Sequence, residues 1–210
     1  MRARVQAAGN FHWSSVAQDG DGPLLLIAGG LGVNPLFSIL AHCHELAEQP
    51  DEERPVVTLL YCARTEADLT HRAEIEAIAE DDPLIEVIFT TTGKALEASD
   101  GSEDEKSDEG SEGDTILDSG LLLPPSPCRC PLRRGRIDKP LLSEALDRLC
   151  ERQAVHISGG AASLDAKVGA EEKRAVRCYL CGPAGMIEGS AALALELGLD
   201  DNLLNYEQWW

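Results

Sequence analysis

No stretch of about 20 uncharged apolar residues occurs in the chain, which excludes a transmembrane helix; the longest apolar run, from Leu24 to Leu40, is interrupted by Asn34 and Pro35. Basic residues are few, 18 against 37 acidic, and the net charge of −19 opposes binding to a phosphate backbone or an anionic membrane surface. Nucleic acid therefore drops out of the candidate partners. The leading MRARVQAAGNFHW lacks the apolar core of about 7 to 15 residues that a secretory signal requires. No Ser-His-Asp arrangement or metal-hydrolase motif is present. The seven cysteines, at 43, 62, 128, 130, 150, 178 and 181, are odd in number and lack the density of a disulfide scaffold. A reducing compartment follows, so the expected setting is intracellular, mitochondrial or cytoplasmic, and not secreted.

What is present is an alternation. Leu24 to Ala28 is a continuous apolar run ending in Gly29-Gly30, the pattern of a strand covered on both faces of a parallel sheet. Leu36, Phe37, Ile39, Leu40, Cys43, Leu46 and Ala47 then recur at helical spacing, with Asn34 suited to the N-cap and Pro35 to the first helical position. A strand over 56–62, a helix over about 66–79 and a strand over 84–90 complete a βαβαβ unit. Further on the pattern predicts a helix over 140–151, a strand over 176–181, a helix over 183–197 and a short strand near 203–206. The predicted fold is a three-layer αβα parallel sheet.

Two segments interrupt it. Residues at about 94–134 open as an acidic Ser/Gly tract without periodicity, read as disordered or as a long surface excursion. Within it, Glu97 to Asp118 hold ten carboxylates against one lysine, a net −9. Residues 156–172 form a second insertion of small residues.

Three turns carry candidate chemistry. In AGGLGVNP (Ala28 to Pro35), Gly29, Gly30 and Gly32 would let the backbone turn tightly and let a pyrophosphate approach, while the helix start offers free N–H groups and partial positive charge. Pro35 stands where the usual dinucleotide fingerprint has its third glycine. CGPAGM (Cys181 to Met186) occupies the same strand-to-helix position. Ligands of open α/β sheets bind outside the carboxyl ends of the strands, so both turns could border one crevice. In YCART (Tyr61 to Thr65), Arg64 could meet a phosphate or lie over an adenine ring, or be simply solvated.

The order GGxGxxP, YxART with Asp68 four residues on, GRI at Gly135 to Ile137, CGPxxM and a C-terminal Glu-x-aromatic resembles the NAD(P)-binding module of the ferredoxin–NADP reductase superfamily. The resemblance covers about 5–92 and 134–210. It implies that Gly29, Gly30, Leu31, Gly32, Val33, Asn34 and Pro35 hold the pyrophosphate and that Arg64 and Thr92 lie on the adenosine side. Cys181, Gly182 and Pro183 would lie near the nicotinamide, with Met186 packed behind them. Glu207, Trp209 and Trp210 would border the meeting point of nicotinamide and flavin. The implied reaction is hydride transfer between nicotinamide C4 and flavin N5, with Cys181 shaping the site and not attacking covalently. Relatives that take NADP carry a Ser-Arg pair after the third strand; Thr90-Thr91-Thr92-Gly93-Lys94 lacks the arginine, favouring NADH over NADPH. The family's FAD sits on an N-terminal β-barrel. Residues 1–22 read as the exit of that barrel and a linker, leaving 23–210 as the NAD(P)-binding domain and the flavin to another domain or protein. The alternative is a non-catalytic dinucleotide-binding or protein-interaction module that has lost flavin binding.

Other constellations carry less. Cys128, Cys130, Cys178 and Cys181 offer four thiolates, but 178 and 181 have opposite parity on one strand, which argues against zinc. His42 and His44 flank a packed cysteine on a helix and diverge around its axis. Ser99, Ser102, Ser107 and Ser111, each near carboxylates, suit an acid-directed kinase, although a solvated insertion explains them as well.

Overall fold

A computed structural model describes residues 11, 13, 22–48, 54–93, 130–159 and 170–208. Their centre is a six-stranded sheet, parallel throughout: β1 (Leu24–Gly29), β2 (Val57–Ala63), β3 (Ile85–Thr91), β4 (Leu132–Arg134), β5 (Arg177–Gly182) and β6 (Leu204–Gln208). The spatial order is β4-β3-β2-β1-β5-β6. The chain thus builds outward from β1 through β4, then returns to the other side of β1, and the reversal falls between β1 and β5. At such a switch point the loops leaving neighbouring strands part in opposite directions and leave a crevice.

Among the described residues five helices flank the sheet: α1 (Val33–Glu45), α2 (Arg72–Asp81), α3 (Lys139–Ile157), α4 (Ala170–Arg174) and α5 (Ala184–Glu196). Two cores result, one on each face. Leu24, Leu26, Leu59, Tyr61, Val87, Phe89 and Tyr179 point to α1 and α2, where Leu36, Leu40 and Ile75 meet them. Leu25, Ile27, Leu60, Ile88 and Leu180 point the other way, onto Leu142, Leu146, Leu149 and Ile187. The unbroken apolar run of β1 is therefore the run of a strand covered on both faces, and every residue in it is buried. Cys178 and Cys181 fall in opposite cores, as their parity requires.

Polar anchors tie the helices to the sheet. Arg152 of α3 donates to the Val57 and Pro83 carbonyls, the Thr58 hydroxyl and Glu86, and Glu86 is also paired with Arg148. Burial pulls the Arg152 guanidinium below its ordinary pKa. At the opposite end of the sheet from the crevice, buried Asp82 pairs with Arg54 and His44 and accepts from the Leu84 N–H.

Four local expectations change. The helix expected from about residue 66 is divided: a 3-10 turn at Glu66–Asp68, then His71 at φ 59°, then α2. The second long helix runs past 151 to Ile157, so residues 156 and 157, placed in an insertion on sequence grounds, continue α3, and 170–172 lie in α4. Leu132–Arg134, assigned to the acidic excursion, form β4 on the open edge of β3. Asn34 is not the N-cap of the first helix: a 3-10 turn over Gly30–Gly32 runs directly into α1, which puts Pro35 third in the helix, still within the turn whose N–H groups lack partners inside the helix. The Asn34 side chain instead lies 3.3 Å from His71 Nε2, and the His71 ring stacks on Phe37 with centroids 4.6 Å apart.

Candidate functional site

Every strand of a parallel sheet ends on the same edge, and the residues singled out from the sequence gather there. Gly29 closes β1, Arg64 follows β2, Thr92 follows β3, Gly182 and Pro183 close and follow β5, and Glu207 is the penultimate residue of β6. Cys181 is in register with Ala28 on one side and Glu207 on the other. Trp209 and Trp210, with Ser99, Ser102, Ser107, Ser111 and Cys128, lie outside the described residues.

The two glycine turns touch each other, backbone to backbone. A Cβ on Gly32 would lie 2.2 Å from the Cys181 carbonyl oxygen and 2.7 Å from the Gly182 nitrogen. One on Gly29 would lie 2.4 Å from Met186 Sδ and 2.9 Å from Pro183 Cδ. The β5–α5 turn thus occupies the space that side chains at Gly29 and Gly32 would need, a reason for glycine that the sequence did not reveal. At Gly30 the φ is 54°, a conformation that disfavours a side chain, and a Cβ there would meet nothing within 4 Å. Leu31 beside it is 71% exposed. The turn has no side-chain cap, and its N–H groups lead into α1 at the switch point. Val33 is buried beneath it, and Met186 wedges under both turns.

Cys181 is fully buried in the core facing α1. Glu207 shares its face of the sheet and is half-buried.

On the far side of the crevice, the YCART turn is stiffened by bonds that the sequence did not reveal. The Thr65 N–H and hydroxyl both donate to Asp68 Oδ2, at 3.0 and 2.8 Å. The buried Tyr61 hydroxyl donates to the Asp68 carbonyl and accepts from the Thr70 N–H, and burial raises the phenol above its ordinary pKa. Tyr61, Thr65 and Asp68 are thus the frame that presents Arg64. The next loop is laced to it: the Thr92 N–H donates to the Ala63 carbonyl at 3.0 Å and the Gly93 N–H to the Arg64 carbonyl at 2.7 Å. The Arg64 guanidinium is exposed and makes no ion pair among the described residues.

The site is thus a parallel doubly wound sheet with two glycine turns meeting at its switch point, where dinucleotides bind in open α/β sheets. Residues 26–118 match the model of the oxidoreductase NAD-binding domain. Over 210 residues the chain is 26% identical to Oxidoreductase NAD-binding domain-containing protein 1 of Danio rerio, covering 98% of this chain and 59% of that protein. It therefore spans less than two thirds of that relative's length. Among solved structures, the CS-b5R domains of human Ncb5or in an NAD+ form superpose with a TM-score of 0.55 at 21% identity, over 95% of this chain and 39% of that one. The flavohem-like FAD/NAD binding domain of a Vibrio cholerae nitric oxide dioxygenase superposes with a TM-score of 0.54 at 17% identity, over 96% and 55%. The match over 26–118 and the shared fold agree with the resemblance read from the sequence. No helix among the described residues is long and apolar enough to cross a membrane.

Proposed function

We propose that this chain binds an adenine dinucleotide across the switch point and presents its nicotinamide to a flavin held by another domain or protein. The observation that carries the reading is the contact between the two glycine turns, which makes one rigid floor out of the ends of β1 and β5. The residues present fit the ligand. Gly30 leaves open space over the turn, the uncapped N–H groups there favour an anion, and Arg64 is an unpaired cation at the opposite end. When bound, the dinucleotide supplies the hydride at nicotinamide C4, and FAD is the acceptor expected from the resemblance.

In this reading Gly30, Leu31 and the first turn through Val33, Asn34 and Pro35 hold the pyrophosphate, while Gly29 and Gly32 keep that turn seated on β5. Arg64 and Thr92 border the adenosine. Gly182 and Pro183 form the wall beside the nicotinamide, Cys181 and Met186 hold that wall in place, and Glu207 borders the side where the flavin enters. The NADH preference expected from Thr90 to Lys94 counts only the chain that follows β3; β4 brings further cations to the same edge.

The test is calorimetric titration of the full chain with NADH and NADPH, paired with hydrogen exchange. Saturable binding should protect the amides of 29–33 and 181–184. Binding that leaves these two segments unchanged would overturn the site, and absence of binding by folded protein would overturn the function. Flavin absorbance retained by the purified chain would place the flavin on this chain and not on a partner, whereas colourless protein that binds the dinucleotide fits the proposal.

A further inference from the structure

Most cations among the described residues are paired. Arg54 meets Asp82, Arg72 meets Glu66 and Glu76, Arg133 meets Glu144, Arg148 and Arg152 meet Glu86, Lys139 meets Glu196, and Lys173 meets Asp147. Arg64, Arg134, Arg136 and Arg174 are exposed and have no ion-pair partner among the described residues. The first three share a place. Arg134 ends β4 in register with Thr91, the Gly135 N–H donates to the Thr91 carbonyl at 2.9 Å, and the Gly93 N–H ties the loop after Thr91 to the Arg64 carbonyl. The ends of β2 and β4, on either side of the loop after β3, thus carry three guanidinia that no described carboxylate neutralises.

The carboxylates of the same edge are already committed. Glu66 is held by Arg72, Asp68 by the Thr65 N–H and hydroxyl, and Asp138 by the Leu141 N–H at the start of α3. A site selective for the unphosphorylated dinucleotide places a carboxylate on the ribose 2′-hydroxyl, where it also repels a 2′-phosphate. No uncommitted carboxylate of that kind stands among the described residues of these loops. Three arginines with no anion of their own suit the opposite ligand, since guanidinium binds phosphate oxygens through charged, paired hydrogen bonds.

We propose that Arg64, Arg134 and Arg136 form a site for the 2′-phosphate of the adenosine ribose, so that the chain selects NADPH over NADH. This rests on the dinucleotide reading above and reverses the preference expected from the missing arginine after β3. That expectation overlooked Arg134 at the end of β4 and Arg136 just after it, which lie far along the chain from β3 and reach its end only through strand pairing.

The experiment is calorimetric titration of the full chain with NADPH, NADH, 2′,5′-ADP and 5′-ADP. NADPH should bind about tenfold more tightly than NADH, and 2′,5′-ADP should exceed 5′-ADP by a similar factor. Arg134→Ala and Arg136→Ala should each remove most of that advantage and leave NADH within about twofold, because the lost contact is to the phosphate alone. Arg174→Ala is the control: it removes an equally exposed cation from α4, just before the start of β5 at the opposite edge of the sheet, and should leave the ratio unchanged. NADH binding as tight as NADPH, or a loss in Arg134→Ala and Arg136→Ala that is equal for both dinucleotides, would overturn the phosphate site while sparing the dinucleotide reading. Failure of both dinucleotides to bind folded protein would overturn the two together.

Discussion

Gly30 and Gly32 stand two residues apart in one motif, yet substitution of each by alanine should act through different physics. At Gly32 the new methyl would lie 2.2 Å from the Cys181 carbonyl oxygen, where ordinary contact needs more than 3 Å of separation. The obstacle is backbone of β5, bonded into the ladder with β1 and β6, so it has no rotamer to change. Either the turn lifts from β5 or the strand shifts, and overpacking that must move backbone lies at or beyond the upper end of the usual range, about 3 kcal/mol. At Gly30 the methyl meets nothing within 4 Å, and the cost is that of a left-handed backbone at φ 54°, about 1 kcal/mol. With an m-value of about 2 kcal/mol/M in urea, the midpoint should fall by about 1.5 M for Gly32→Ala and about 0.5 M for Gly30→Ala. Urea denaturation followed by far-UV circular dichroism at matched protein concentration measures both. A Gly32→Ala midpoint equal to or above that of Gly30→Ala would refute the claim that Gly32 exists to seat the turn on β5. The same logic makes any bulky residue at 32 a poor probe of ligand binding, since lost affinity would follow from lost structure.

Leu31→Glu should separate stability from binding: a carboxylate at the uncapped helix start favours folding by about 0.3–1 kcal/mol, whereas at about 6 Å from a pyrophosphate it costs about 1–2 kcal/mol of binding, near tenfold. A variant that melts no lower than wild type and binds dinucleotide as well as wild type would remove the pyrophosphate from this turn. Tyr61→Phe strands the Thr70 N–H and should lower stability by about 1–2 kcal/mol, read as a shift of the urea midpoint; no shift would mean that the phenol does not hold the Arg64 loop. Alkylation with iodoacetamide at pH 8 should label half-buried Cys62 well ahead of Cys43, Cys150 and Cys178, whose thiols burial pushes up, to about 12 for Cys43 and about 11 for Cys150. Peptide mapping that finds Cys178 labelled as fast as Cys62 in folded protein would contradict the packing of β5 between its two helical layers.

Much of this protein is legible without coordinates because its signals are local. Leu24 to Ala28 is apolar at every position, which in a strand of a parallel sheet means cover on both faces, and the glycines that follow mark where the strand must stop. The same holds for β2, β3 and β5, and since parallel strands must cross over through helices, the layer order follows from the alternation alone. The halves of the site were legible for the same reason, each being a short motif at a strand's end.

Tertiary structure decided what depends on contacts between distant segments. β4 has three residues, two of them arginine, and carries no pattern of its own; it is a strand because the open edge of β3 pairs with it. That pairing alone brings Arg134 beside Thr91. Gly32 has no local need for its missing side chain, and its reason is the Cys181 carbonyl on another strand. The Tyr61, Thr65 and Asp68 frame is equally invisible in one dimension, because the hydroxyl and carboxylate involved find their partners only once the 3-10 turn has folded. Composition and period specify which elements form, while steric contact and hydrogen bonding between them specify why particular residues are required.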